Sequence, residues 1–315
     1  MHTIFDGKYD YPDMNYNFFN FNKFFDDNKN LLYVYGIFAD ELPTGYKNRI
    51  YFNIEEPNGL YHSGKLLHER ELNNRVLSYD WTKILQICPY STKWLRESLG
   101  DSRYEFVKNV PVCNDEYFPK PEEKIYDLFY QGSIHGCRRE FSACIDAMTK
   151  FKYVWTSLSD EPDTRKTHIK VPFLQKLKLE SQCKITVVDN LLYDPHPGAF
   201  ATNIRRLPNW QQNEAFSHID AGIMPQFKVK LLESMMCRVL ILAQKLPWNI
   251  MEDFGFVEGE HFLYFEEPYE LEQLIKECLS NWDYCQTITE NAYNKAINEN
   301  SITSFYNTYL KSYDN

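Results

Sequence analysis

Short apolar runs rich in aromatic and β-branched residues alternate with segments of helical periodicity along most of this 315-residue chain. In the first third, the runs at 31–38, 49–55 and 84–91 stop at polar or Pro/Gly clusters, as buried strands do, and 63–77 has helical spacing. Strands separated by helices favour βαβ units and parallel sheets. The alternation therefore predicts an α/β fold.

A stretch without periodicity, PVCNDEYFPKPEEK at 111–124, interrupts the alternation. Its prolines and mixed charge predict a linker. We therefore predict two doubly wound, Rossmann-like domains, 1–118 and 119–315, the second ending in a helical tail from Glu270 onward. Open parallel sheets bind ligands at the carboxyl ends of their strands, so the expected site is the cleft between the domains. The strands predicted in the second domain are 125–133, 153–158, 184–190, 238–243 and 261–265, and the helices are 137–151, 171–181 and 228–236.

The charge balance and the cysteines exclude several classes of protein. A formal charge of −10 and a pI of about 5.4 argue against a protein that grips a nucleic-acid backbone, which needs a dominant basic surface. The eight cysteines have no CxxC spacing and lie mostly in apolar runs, which predicts free thiols in a reducing compartment. The N-terminal sequence has no signal-peptide pattern, and no apolar run approaches the roughly 18 residues of a membrane span. We expect a soluble, cytoplasmic protein.

The segment FKVKLLESMMCRVLILAQKLPW, 227–248, changes from a helical to a strand pattern. Lys228 and Lys230 are predicted in the first helical turn, where cations oppose the helix dipole unless an anion binds there. Glu233 follows one turn later and can reach neutral hydroxyls of the same ligand. A nucleoside diphosphate offers phosphates to the lysines and ribose hydroxyls to the carboxylate. The alternative is a solvated Lys230–Glu233 pair, in which the glutamate contributes little to stability.

This order of a basic residue, a glutamate three positions later, sulfur-bearing residues and a β-branched strand resembles the donor-binding segment of the GT-B glycosyltransferases. The sequence of 246–279 is similar to their closing pattern, and YDLFYQGSIHGCRRE, 126–140, resembles the opening of the second domain in exostosin-like and spore-maturation-like members. The resemblance covers about 125–280. One departure is Met236-Cys237-Arg238, where the family usually has a glycine.

The resemblance implies that Glu233 binds the donor ribose and that Lys230 or Lys228 binds the diphosphate. The opposite phosphate wall would be formed by Gly132, Ser133, Arg138 and Arg139. Backbone N–H groups of a Gly-containing turn that opens a helix can also bind an anion. Junctions of this kind are also common where no ligand binds and the turn only connects a strand to a helix.

An inverting reaction needs a general base, because the acceptor hydroxyl loses its proton as it attacks. In a GT-B cleft the base comes from the first domain. The candidates that follow predicted strands are Asp40, Glu41, Glu55, Glu56 and His62, of which Asp40, Glu56 and His62 are our predicted catalytic positions. Glu55-Glu56-Pro57 can equally be an acidic turn, and the sequence does not separate the candidates.

Metal-ligand patterns are absent from the sequence: there is no Asp-x-Asp, and the eight histidines have no ligand spacing. We expect no metal and no cofactor, with the leaving diphosphate neutralised by Lys, Arg and a helix dipole. The main hypothesis is sugar transfer from a nucleotide-sugar donor to a carbohydrate acceptor. The alternatives are a DNA-modifying glucosyltransferase of phage type, which the acidic charge disfavours, and a non-catalytic nucleotide-binding protein of the same fold.

Overall fold

The computed structural model describes residues 2–5, 30–34, 44–54, 79–111, 117–132, 139–157, 162–193 and 196–313. Its first sheet has five strands in the order β1-β2-β3-β4-β5, all paired in parallel. These strands are β1 (His2–Phe5), β2 (Asn30–Val34), β3 (Asn48–Asn53), β4 (Lys83–Gln86) and β5 (Tyr104–Phe106).

The run predicted as one strand over 84–91 contains the end of β4 and the start of a helix, α1 (Pro89–Glu97). The strand ends at Gln86 because Pro89 occupies the first helical turn, where its fixed φ suits a helix and its missing N–H is not needed. The Sγ atom of Cys88 accepts a hydrogen bond from the Ser91 N–H and caps the helix.

The second sheet has six parallel strands in the order β13-β12-β9-β6-β7-β8. Its strands are β6 (Tyr126–Gln131), β7 (Tyr153–Ser157), β8 (His168–Ile169), β9 (Cys183–Val188), β12 (Leu240–Gln244) and β13 (Leu263–Phe265), while β10 (Leu191–Tyr193) and β11 (Ile223–Pro225) form a separate antiparallel pair. The helices are α2 (Arg139–Met148), α3 (Phe173–Ser181), α4 (Pro197–Ile204), α5 (Lys230–Met236), α6 (Ile250–Asp253), α7 (Pro268–Ser280), α8 (Trp282–Glu299) and α9 (Ile302–Phe305). Every strand and helix predicted for the second domain is present, with ends that differ by a few residues, and the helical tail is confirmed.

Two segments of the second half of the chain pack on the first sheet. The segment 197–224 contributes Phe200, Ile204 and Phe216 to a core cluster that also contains Tyr51 and Trp81.

The predicted boundary at 118/119 falls between β5 and β6, and the division of the chain into two folding units at that point stays a proposal.

The chain also ends against the first sheet. The Phe305 ring lies 4.9 Å from the Phe52 ring, and the Asn30 side-chain amide donates to the Tyr313 carbonyl at 2.8 Å. Residues assigned to the tail of the second domain therefore complete the core of the first sheet.

The cysteines within the described residues are buried free thiols, as their apolar surroundings predict: Cys88, Cys144, Cys183, Cys237, Cys278 and Cys285. In the same residues, no helix combines the length and the apolar content needed to cross a bilayer.

Candidate functional site

The change from helix to strand near Met236 is produced by the way α5 ends. The Arg238 N–H donates to the Met235 carbonyl at 3.0 Å, and the Val239 N–H donates to the Ser234 carbonyl at 3.0 Å. This is the Schellman pattern, in which the residue after the helix cap is left-handed. Arg238 has a φ of 52° and occupies that position, where glycine is usual.

Arg238 is held in this conformation by contacts that a glycine lacks. Its guanidinium carbon lies 3.5 Å from the centre of the Tyr293 ring, and its Nε donates to Glu290 Oε1 at 3.0 Å. Its carbonyl, a backbone group that a glycine would also supply, accepts from Lys124 Nζ at 2.7 Å. The departure from the family pattern at Met236-Cys237-Arg238 therefore keeps the turn and stabilises it with side-chain contacts.

The start of α5 differs from the prediction. The helix begins at Lys230, without a side-chain cap, because the chain enters through i→i+3 bonds from Leu231 N–H to Lys228 O and from Leu232 N–H to Val229 O, both 2.9 Å. Lys228 thus precedes the first turn instead of lying in it. Its N–H donates to Asn190 Oδ1 at 3.3 Å, and its Nζ donates to Gln226 Oε1.

Lys230 reaches across to the carboxyl end of β6. Its Nζ donates to the Gln131 carbonyl at 3.0 Å and lies 5.3 Å from the centre of the Tyr130 ring. Gln131 is the last residue of β6, and Gly132 follows it. The fold therefore brings two of the predicted ligand-binding positions, Lys230 and Gly132, to the same edge of the sheet.

Gly132 occupies a place where a side chain does not fit. Its φ is 150°, and a Cβ built on it would lie 2.9 Å from the Tyr130 hydroxyl oxygen. Its carbonyl accepts from Trp155 Nε1 at 2.8 Å, and its N–H donates to the Thr156 carbonyl at 3.2 Å. Both backbone polar groups of Gly132 are therefore hydrogen-bonded to residues of β7, which holds the end of β6 in place.

The Gly132→Ala variant is expected to lose about 1–3 kcal/mol of unfolding free energy, because the backbone is strained and the new methyl group meets Tyr130. Urea denaturation measures this loss. Gly198→Ala is the matched control, since Gly198 lies in α4 and its added Cβ meets nothing within 4 Å. The control should be neutral or slightly stabilising. Equal stabilities of Gly132→Ala and the wild type would contradict the assignment of strain.

Glu233 is buried, which corrects the solvent-exposed alternative considered from the sequence. The residue is 9% exposed, and its Oε2 accepts from Lys176 Nζ at 2.5 Å. Lys176 comes from α3 and is only 1% exposed. The expected partner on the same helix, Lys230, instead directs its ammonium to Gln131. The interaction that decides the position of Glu233 is therefore long-range in sequence.

A second buried carboxylate lies beside this pair. Glu180 Oε1 accepts from the Ser234 hydroxyl at 2.5 Å, and Glu180 Oε2 lies 3.9 Å from Lys176 Nζ. Burial raises the pKa of Glu180 to about 7; Lys176 opposes this rise and Glu233 adds to it. We call Lys176, Glu180, Glu233 and Ser234 the buried polar cluster. In this cluster, Glu233 and Ser234 of α5 bond to Lys176 and Glu180 of α3.

The carboxyl ends of the two sheets meet through the helices that follow β4 and β12. The Tyr90 hydroxyl donates to Asp253 Oδ2 at 2.6 Å, and the rings of Phe106 and Phe254 lie 5.2 Å apart. Burial raises the pKa of both the Tyr90 hydroxyl and the Asp253 carboxyl. This meeting of strand ends is the geometry on which the expectation of a cleft depended.

Several predicted positions lie outside the described residues: Asp40, Glu41, Glu55, Glu56, His62, Ser133 and Arg138. Arg139 begins α2, directly after the segment that follows Gly132. Within the part of the chain that the structure describes, no three His, Cys, Asp or Glu side chains are grouped as metal ligands.

The comparisons with known proteins agree with this fold. Residues 170–311 match the family model described as glycosyl transferase-like. HepE from Anabaena, solved in complex with UDP, shares 13% identity and a TM-score of 0.55, with 84% of this chain and 72% of HepE covered. TarM from S. aureus shares 10% identity and a TM-score of 0.55, with 93% of this chain and 57% of TarM covered.

A glycosyltransferase from Rickettsia africae shares 12% identity and a TM-score of 0.51, with 90% of this chain and 76% of that protein covered. A search of curated protein sequences finds no match. Residues 170–311 are therefore glycosyl transferase-like, and the two-sheet architecture of the described residues is the GT-B fold that these solved structures share.

Proposed function

We propose that the protein transfers a sugar from a nucleotide-sugar donor to a carbohydrate acceptor, in the cytoplasm and without a metal ion. The observation that carries the proposal is the approach of Lys230 to the end of β6, with its Nζ 3.0 Å from the Gln131 carbonyl. The Lys230 cation and Gly132 at the end of β6 converge there, and Glu233 follows Lys230 by one helical turn. This combination suits a diphosphate and a ribose.

The donor diphosphate is assigned to Lys230 and to the backbone at Gly132. A lysine ammonium makes charge-assisted hydrogen bonds to phosphate oxygens, and it stabilises the charge that develops on the leaving diphosphate. Ser133, Arg138, Arg139 and Lys228 are proposed to complete the phosphate wall. UDP is a reasonable first probe, because HepE has been solved with UDP and with UDP-glucose.

The ribose is assigned to Glu233. Within the described residues, its Oε2 is occupied by Lys176, while Oε1 makes no hydrogen bond to the protein. The side chain keeps 12% of its surface exposed, so a carboxylate oxygen remains available to accept from a hydroxyl. A charge-assisted bond of this kind contributes about 1.5–3 kcal/mol.

The acceptor is assigned to the first sheet, at the carboxyl ends of β4 and β5. A cavity of about 260 Å³ lies there, lined by Thr92, Lys93, Arg96 and Phe106 among others. An aromatic ring with charged groups at its rim fits a sugar, whose faces are apolar and whose edges carry hydroxyls. Asp40, Glu56 and His62 remain the proposed bases, because each follows a predicted strand whose carboxyl end belongs to the same edge. The net charge of −10 opposes a nucleic-acid acceptor.

The experiment that tests this function is a transfer assay in the presence of EDTA. UDP-, GDP-, CMP- and dTDP-sugars are first screened by thermal shift, since a donor at a hundredfold excess over its Kd stabilises the fold by about 2.7 kcal/mol. The best donor is then assayed with glycan acceptors. We expect release of the nucleotide and transfer at an undiminished rate in EDTA, because side-chain cations neutralise the leaving group. Complete loss on chelation with rescue by Mn²⁺ would refute metal independence, and transfer to duplex DNA alone would refute the acceptor class.

A further inference from the structure

We propose that Lys176 is a positioning residue for donor binding, which holds the Glu233 carboxylate so that its second oxygen faces the donor ribose. The inference rests on the proposed role of Glu233 as the ribose ligand. Lys176 lies on α3 and does not itself contact the donor.

The two carboxylate oxygens of Glu233 differ in their surroundings, because the hydrogen bond from Lys176 is made to one of them, Oε2. Lys176 Nζ lies 2.5 Å from Oε2, and the lysine side chain is 2% exposed against 12% for the glutamate side chain. The Lys176 ammonium also lies 4.9 Å from the centre of the Phe173 ring on its own helix. The lysine is therefore buried behind the glutamate, and the remaining exposure of the pair lies on the glutamate side.

Donor recognition requires the negative charge of Glu233, whereas the packing of α3 against α5 does not require the positive charge of Lys176. A buried carboxylate stays ionised only with a partner, and two facing apolar side chains would join α3 to α5 at least as well as a buried ion pair. A buried lysine behind Glu233 places an opposite charge against one carboxylate oxygen and holds the group at a point where it must accept from a hydroxyl. Packing of the two helices alone does not require this arrangement.

The buried polar cluster contains a second contact between α5 and α3, from Ser234 to Glu180, which can be compared with the contact from Glu233 to Lys176. The Ser234 hydroxyl oxygen lies 2.5 Å from Glu180 Oε1 and 3.0 Å from the Lys230 carbonyl oxygen, so its one proton is shared between these two acceptors. Ser234 joins α5 to α3 as Lys176 does, but within the described residues its hydroxyl makes no hydrogen bond to the Glu233 carboxylate. A purely structural role predicts similar effects for both links, whereas a positioning role predicts that only Lys176 affects recognition of ribose.

The test compares Lys176→Met with Ser234→Ala, using UDP, 2′-deoxy-UDP, 3′-deoxy-UDP and inorganic pyrophosphate as calorimetric probes. We expect Lys176→Met to weaken UDP binding by roughly 10- to 100-fold. The preference for UDP over the deoxy analogue that the wild type discriminates should disappear, and pyrophosphate affinity should be unchanged. With the best donor, KM should rise more than kcat falls. Ser234→Ala should keep the wild-type preference.

Lys176→Met leaves two buried carboxylates together, so Lys176→Met/Glu180→Gln is the second variant, in which one of those charges is removed. It should fold and show the same loss of ribose discrimination. Glu233→Ala separates the two hypotheses. If Glu233→Ala weakens UDP binding and both Lys176 variants keep the wild-type preference, the positioning role is refuted and the donor site stands. If Glu233→Ala itself binds UDP like the wild type, the donor assignment fails first.

Discussion

The Glu233→Ala variant is expected to bind UDP roughly 10- to 100-fold more weakly than the wild type, because it loses the proposed charge-assisted bond to ribose. Calorimetry with UDP measures the change, and a nucleotide without the bonded hydroxyl should bind the variant and the wild type equally. Glu233→Gln keeps the shape of the side chain and removes its charge, so its affinity should lie between the two. An alanine variant that binds UDP like the wild type would remove Glu233 from the donor site.

Glu233→Ala should also lower the free energy of unfolding by about 1.5–3 kcal/mol, the contribution of a buried hydrogen bond to a charged group. The cost stays below that of an unpaired buried charge, because Lys176 keeps Glu180 at 3.9 Å. Glu290→Ala is the control, since Glu290 pairs with Arg238 and its side chain is 52% exposed. That exposed pair should contribute less than about 1 kcal/mol and leave UDP binding unchanged. Equal stability losses in the two variants would contradict the burial of Glu233.

The strands and helices of the second half could be predicted because their signals are local. Apolar β-branched runs such as 184–190 become central parallel strands, which are buried on both faces. Element ends were less accurate where a single residue changes the backbone. Pro89 turns the end of a strand pattern into a helix start, and Arg238 adopts the left-handed conformation that the sequence pattern associates with glycine.

The partners of the site residues could not be predicted because they are long-range. The sequence placed Lys230 beside Glu233, yet Lys230 bonds to Gln131, 99 positions away, and Glu233 bonds to Lys176, 57 positions away. A usable signal was present in α3. Phe173, Lys176, Leu177 and Glu180 follow the i, i+3, i+4, i+7 spacing of a buried stripe, and all four are buried. A lysine and a glutamate inside such a stripe indicate a buried ion pair with a partner on another element.

The first sheet shows the same limit on a larger scale. The composition of 31–38 and 49–55 predicts two strands, and the structure has β2 at Asn30–Val34 and β3 at Asn48–Asn53. The elements that cover it come from distant parts of the chain, including 197–224 and the last residues around Phe305. Local periodicity marks an apolar face without identifying what covers it.

Lys230→Ala is expected to lower kcat by roughly 100- to 1,000-fold, the usual cost of removing one group that stabilises charge in a transition state. The ammonium of Lys230 is held at the carboxyl end of β6 by the Gln131 carbonyl at 3.0 Å and lies 5.3 Å from the Tyr130 ring. In the proposed site, a diphosphate bound at Gly132 would replace or share that contact, and its negative charge would increase as the sugar departs. Steady-state kinetics with the best donor measures the loss, and Lys230→Arg, which keeps the positive charge, should recover part of the rate.

A matched control lies at the opposite end of the same strand. Lys152 also places its Nζ over a tyrosine of β6, 5.0 Å from the Tyr126 ring, but at the amino end of the sheet. Lys152→Ala removes the same kind of cation–ring contact and should leave kcat unchanged, because ligands of open parallel sheets bind at the carboxyl end. If Lys230→Ala keeps the wild-type kcat, or if both variants lose activity equally, the lysine does not neutralise the leaving group. The diphosphate would then have to be bound by other cations, of which Arg138 and Arg139 are the nearest in sequence to the Gly132 turn.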